Sequence, residues 1–114
     1  MIDPKELRIG NYLLSGGEAI QIDAAHLCDL LTSEYYLLGH TQIPITPEWL
    51  ERLGFAVGKR SIYKDFGFFE IEYERDQLYI GINEYQDSLY HIQYVHQLHN
   101  LVYALTGHEL IIKQ

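Results

Sequence analysis

Near the end of the chain, His96, His99, Asn100 and Tyr103 fall at i, i+3, i+4 and i+7. Side chains three and four apart on a helix are neighbours, so two imidazoles at i and i+3 can meet over one cation, as in a zinc clip. His91 stands before this segment and His108 after it. A zinc centre takes three or four ligands with an ordered outer shell. His91, His96 and His99 are the candidates, but no H-E-x-x-H pair and no paired cysteines accompany them. The simpler reading is the polar side of an amphipathic helix. It assigns no metal and no cofactor, and takes Tyr94, His96, Gln97, Asn100 and Tyr103 as a binding surface.

Other constellations read more plainly. Glu70, Glu72 and Glu74 alternate with apolar residues, which puts three carboxylates on one strand face. A divalent cation or basic partner could neutralise them. Acid–base chemistry, however, needs two carboxylates in unlike surroundings, and regular alternation offers none. Ten tyrosines, each an apolar body with a polar tip, suit an interface; Tyr35-Tyr36, Tyr85, Tyr90 and Tyr94 are the candidates beside core-edge packing. Ser15-Gly16-Gly17 is too short to cradle phosphates, and no Walker loop, dinucleotide fingerprint or G-x-S-x-G elbow occurs. Cys28, near His26, reads as a buried small hydrophobe. No catalytic residue is assigned, and the balance is against an enzyme.

The clearest positioning element is the last helix, where Val95, Leu98, Leu101, Val102 and Leu105 recur at three- and four-residue steps and Gly107 supplies a stop. This pattern predicts an aliphatic side docked on a sheet and an outward-facing side of imidazoles and amides. Upstream, Thr46-Pro47 and Gly54 bracket a two-turn helix with Trp49, Leu50 and Leu53 inward. Phe69, Ile71 and Tyr73, then Leu78, Ile80 and Ile82, alternate about Arg75-Asp76 as an antiparallel hairpin. Leu89 to Gln93 is expected as a third strand, and Leu110 to Ile112 as an added one. Near the start, Asp3-Pro4 opens a helical turn, Gly10-Asn11 makes a turn, and two short runs flank a Gly-Gly hairpin. Asp23 can cap a short helix with Leu27, Leu30 and Leu31 in register, and Tyr35 to Leu38 reads as a strand. Hairpins with segregated helices give the α+β class: a small antiparallel sheet with two or three short helices, the C-terminal one packed on it.

With 114 residues, no repeat and no linker, residues 1–114 read as a single domain large enough to bury its own core. The apolar content of 47% and charged content of 21% are ordinary for a globular chain. A lone cysteine excludes an internal disulfide. The first residues, with Asp3, Pro4, Lys5 and Glu6, do not resemble a signal peptide, and no run approaches a membrane span; the expectation is a cytoplasmic protein without membrane contact. The formal charge of −8 opposes nonspecific nucleic-acid binding.

The stretch Tyr94-Val95-His96-Gln97-Leu98-His99-Asn100-Leu101-Val102-Tyr103-Ala104-Leu105-Thr106-Gly107 resembles the C-terminal signature of a family of small Bacteroidetes proteins common in prophage-like and other mobile regions. Leu7-Arg8-Ile9-Gly10-Asn11, Ile43-Pro44-Ile45-Thr46-Pro47-Glu48-Trp49-Leu50 and Gly54-Phe55 fit in the same order. The family brings no established activity, so the resemblance implies only an accessory protein of phage-like origin. Its pattern often has glutamine where His99 stands, which counts against a His96–His99 metal pair, and an Asn-Gly turn where this chain has Arg75-Asp76. Together these readings predict a non-catalytic protein-interaction module, monomeric or homodimeric, with an unidentified protein partner. Two alternatives accompany it: an acidic decoy that mimics nucleic acid, and a metal-assisted enzyme using His91, His96 and His99.

Overall fold

A computed structural model describes residues 2–113. They form two compact units: residues up to Pro44 with Tyr94–Glu109, and Ile45–Gln93 with the residues from Leu110 on. Two antiparallel sheets, of three and five strands, and four helices among the described residues make the protein α+β.

In the first unit, Asp3 accepts from the Lys5 amide (3.0 Å) and opens a 3-10 turn at Pro4–Glu6. Strands β1 (Tyr12–Ser15) and β2 (Glu18–Gln21) form the expected Gly-Gly hairpin, and β3 (His40–Thr41) pairs on the other side of β1. Asp23 caps helix α1 (Ala24–Thr32) by accepting from the His26 amide, while the His26 ring accepts from the Asp23 amide. Ser33 ends α1 and caps helix α2 (Glu34–Leu38), its hydroxyl accepting from the Tyr36 amide. That cap explains why Tyr35 to Leu38 is helical rather than the expected strand: aromatic β-propensity yields to a local side-chain hydrogen bond. Ile2, Leu7, Leu13, Ile22, Leu30 and Leu37 form the buried cluster of this unit. Helix α4 (Val95–Thr106) packs against β1 and ends where Gly107 turns left-handed and its N–H donates to Tyr103 (2.7 Å).

The second unit opens on helix α3 (Pro47–Arg52), capped by Thr46 through the Trp49 amide. Gly54 (φ +91) ends it in a Schellman arrangement, with Phe55 N–H donating to Leu50 and Gly54 N–H to Glu51. Leu50 and Phe55 are both buried, as that motif requires, whereas Trp49 is only half-buried, beneath the Arg52 guanidinium. The sheet runs β4 (Ala56–Val57), β5 (Ile62–Asp65), β6 (Glu70–Glu74), β7 (Gln77–Ile82) and β8 (Tyr85–Ser88), each pairing with the next. The Arg75-Asp76 hairpin is present as expected, with Tyr73 opposite Leu78 and Ile71 opposite Ile80. Two expected strands are absent. The strand after β7 is Tyr85–Ser88; Leu89 N–H still donates to the Leu78 carbonyl (2.9 Å), and the chain then turns away, with Ile92 N–H donating to Leu89. Residues 110–112 lie outside the strands, and Lys113 N–H donates to the Arg52 carbonyl. No helix among the described residues is long and apolar enough to cross a membrane.

Candidate functional site

The expected outward face of α4 is not open. His96 and His99 are 0% exposed, as are Val95 and Leu98, and Val102 is buried beside them. Leu101 is half-buried and Leu105 exposed. The buried arc is therefore turned from the aliphatic stripe toward the imidazoles, by most of one residue step of ~100°. The reason lies at the other end of the sequence, in the segment from Glu6 to Asn11.

That segment supplies partners for the polar side chains of α4. The Arg8 guanidinium donates to Glu109 through both terminal nitrogens (2.5 and 3.2 Å) and through Nε to Asn100 Oδ1 (3.2 Å). It also lies over the Tyr103 ring, 3.9 Å from its centroid. Asn11, fully buried, donates from Nδ2 to Asn100 Oδ1 (2.8 Å) and toward His99 Nδ1 (3.3 Å), and its Oδ1 accepts from the Arg8 amide (2.7 Å). Asn100 Nδ2 donates to the Glu6 carbonyl (2.8 Å). An amide nitrogen can only donate, so His99 Nδ1 is the acceptor and the neutral ring carries its proton on Nε2. The Glu109 carboxylate pairs with that nitrogen, though without hydrogen-bonding geometry, while the His99 ring stacks on Tyr12. Gly10 (φ +98) leaves the space: a Cβ there would lie 3.3 Å from Glu109 Oε2.

His96 differs from His99. Neither of its ring nitrogens has a hydrogen bond, and the Glu6 carboxylate stands 3.6 Å from Nε2. Burial pushes the His96 imidazole below its ordinary pKa, against the pull of Glu6. It does the same at His99, against the pull of Glu109. Glu109 is held below its ordinary value chiefly by the hydrogen bond from Arg8. Two buried imidazoles, each beside its own carboxylate, thus complete a polar seam.

No protein family, curated protein or solved structure matches the chain.

Each expected site residue can now be placed. Asn100 and the Tyr103 ring belong to the seam. Gln97 Oε1 accepts from the Tyr94 amide (3.1 Å) at the start of α4. Tyr94 stacks on His96 and lines a cavity of about 220 Å³ with Ile2, His40, Thr41 and Gln42. Sequence reasoning passed over His40, whose Nδ1 bonds the Tyr36 carbonyl (2.9 Å) and so carries the proton. His91 is exposed and makes an edge-to-face contact with Tyr90. Among the described residues no three His, Cys, Asp or Glu side chains are arranged to hold a metal ion. Of the weak metal candidates, His96 and His99 are buried, each beside its own carboxylate. Of the glutamate trio, Glu72 accepts from Ser61 (3.0 Å) and Gln86 (3.4 Å) rather than standing in solvent. Cys28, expected inside, is exposed.

Exposed apolar side chains occur on α1 and α2, among other places. Leu31 is 52%, Tyr35 89% and Leu38 62% exposed. Leu27, Leu30 and Leu31 were expected in register on α1; Leu30 is buried, Leu27 half-buried and Leu31 exposed. The surrounding sequence is one-signed: from Ile9 through Glu51 there is no Lys or Arg, while Asp23, Asp29 and Glu34 are exposed around the apolar residues.

Proposed function

We propose that the protein is an interaction module that docks a basic-rimmed protein partner on α1 and α2, centred on Leu31, Tyr35 and Leu38. The observation that carries this reading is the exposure of these three large apolar side chains within a segment bearing only negative charge. Full burial of a leucine contributes roughly 1.5–3 kcal/mol, whereas an exposed ion pair contributes about 0–1 kcal/mol. The apolar centre would therefore set the affinity, and the acids would select and steer the partner. A second copy of this chain is disfavoured as occupant, because the same acids would face one another. The exposed Cys28 thiol suits a reducing, cytoplasmic setting.

Cys28 also provides the test. A photo-crosslinker on this thiol is expected to capture one stoichiometric partner with a basic surface in host extract. Tyr35→Ser with Leu38→Asp, two exposed changes, should abolish the adduct while leaving the circular dichroism spectrum intact. An adduct that survives in the double variant would contradict the reading.

The acidic-decoy reading keeps one supporting observation. The first unit has only Lys5 and Arg8 as bases, and Arg8 is committed to Glu109. A decoy would bind through charge alone, so its affinity would collapse with added salt. A docking surface with an apolar centre would lose mainly association rate.

A further inference from the structure

Six of the eight bases, Arg52, Lys59, Arg60, Lys64, Arg75 and Lys113, belong to the second unit. Three of them collect at one end of the five-stranded sheet. Gly58 N–H donates to the Ser61 carbonyl (2.8 Å), which leaves Lys59 and Arg60 as the tip of the β4–β5 hairpin. Arg75 and Asp76 are the tip of the β6–β7 hairpin. Because Ile62 pairs with Tyr73, the two tips stand side by side. Between them lies a cleft of about 300 Å³ whose walls include Lys59, Arg60, Ser61, Glu74, Arg75 and Asp76.

Among the described residues, none of these three cations makes an ion pair, a side-chain hydrogen bond or a ring contact. Asp76, by contrast, accepts from the Tyr73 hydroxyl (3.3 Å). Arg75 and Asp76 both hold left-handed backbone (φ 53 and 63), a conformation that Asn-Gly takes with less strain in a two-residue hairpin. Local stability thus does not account for a guanidinium at this turn. Three cations against the two carboxylates of Glu74 and Asp76 leave the concavity net positive, which favours an anion between the cations.

We propose that this cleft binds a phosphate monoester carried on a small hydroxyl-bearing molecule. The guanidinium groups of Arg60 and Arg75 match phosphate oxygens in paired hydrogen bonds, and Lys59 adds a point charge. Glu74 and Asp76 on the same wall accept from hydroxyl groups of the carrier. The volume suits a small ligand, and the overall charge of −8 opposes a long polyanion. This site is independent of the docking surface on α1 and α2.

Titration of the ¹⁵N-labelled protein at fixed ionic strength tests the assignment. Ribose 5-phosphate is expected to give saturable shifts at residues 58–61 and 74–77, inorganic phosphate weaker ones at the same amides, and ribose none. Arg75→Asn with Asp76→Gly should raise the thermal midpoint yet weaken ribose 5-phosphate binding about tenfold. Lys59→Gln with Arg60→Gln, on exposed tip residues, should weaken it similarly. The assignment is overturned by shifts that do not saturate, by unchanged affinity in both variants, or by saturation with an oligonucleotide but not with ribose 5-phosphate.

Discussion

His96 is the residue whose surroundings and chemistry are most at odds. Burying a polar group without a hydrogen bond costs about 1–3 kcal/mol, and both nitrogens of this ring are in that position. His96→Leu is therefore expected to stabilise the protein at pH 7 by about 1 kcal/mol, read as a higher midpoint in denaturant; a clear loss would contradict the geometry. The pH dependence follows from the same burial. His96 and His99 hold pKa values below 6.5 in the folded protein, so in mild acid the unfolded chain binds more protons than the folded one. Their contribution to stability is fully present above about pH 6.5 and is lost as pH falls from there toward the lowered folded values. The slope is at most about 1.4 kcal/mol per pH unit for each ring. Glu109, lowered by Arg8, adds loss in the same direction below its ordinary value of 4.5. His96→Leu should flatten the profile between pH 7 and 5, and an unchanged profile would show that this ring does not titrate as its burial requires.

At the scale of elements, what the sequence shows depends on how local the determining contacts are. Caps and turn glycines act within a few residues, so α3 with its Thr46 cap and Gly54 exit, the end of α4 at Gly107 and the β6–β7 hairpin were all legible. Asp23→Ala tests one such local device: removing the cap of α1 should cost about 1 kcal/mol and reduce helical signal without affecting the β6–β7 hairpin. What was not legible is set by distant partners. The polar side of α4 goes inward because Arg8, Asn11 and Glu109 meet it there, with Arg8 ninety-two residues from Asn100. Helical periodicity records only the alternation of polarity, and a satisfied buried asparagine looks the same as a solvated one. The same limit explains Leu31: three leucines at helical spacing do not reveal that only Leu30 is fully buried. Short strands such as Ala56–Val57 and His40–Thr41 carry too few residues to show a period of two, and they exist only through their partners.

Over the whole molecule, the bases are unevenly divided between the units, while acids outnumber bases in both. Acids dominate the first, where Lys5 and Arg8 are the only bases, and the second holds the remaining six. Local fields from clustered charges steer oppositely charged partners but are screened beyond about 8 Å at physiological ionic strength. This division of the bases suits an acidic docking surface on one unit and an anion cleft on the other. Docking through α1 and α2 is the central claim, and hydrogen exchange of the chain alone and in complex with its captured partner measures it most directly. Exchange should slow on binding across Ala24–Thr32 and Glu34–Leu38, with Val95–Thr106 unchanged. Slowing confined to Val95–Thr106, or none within the two short helices, would contradict it.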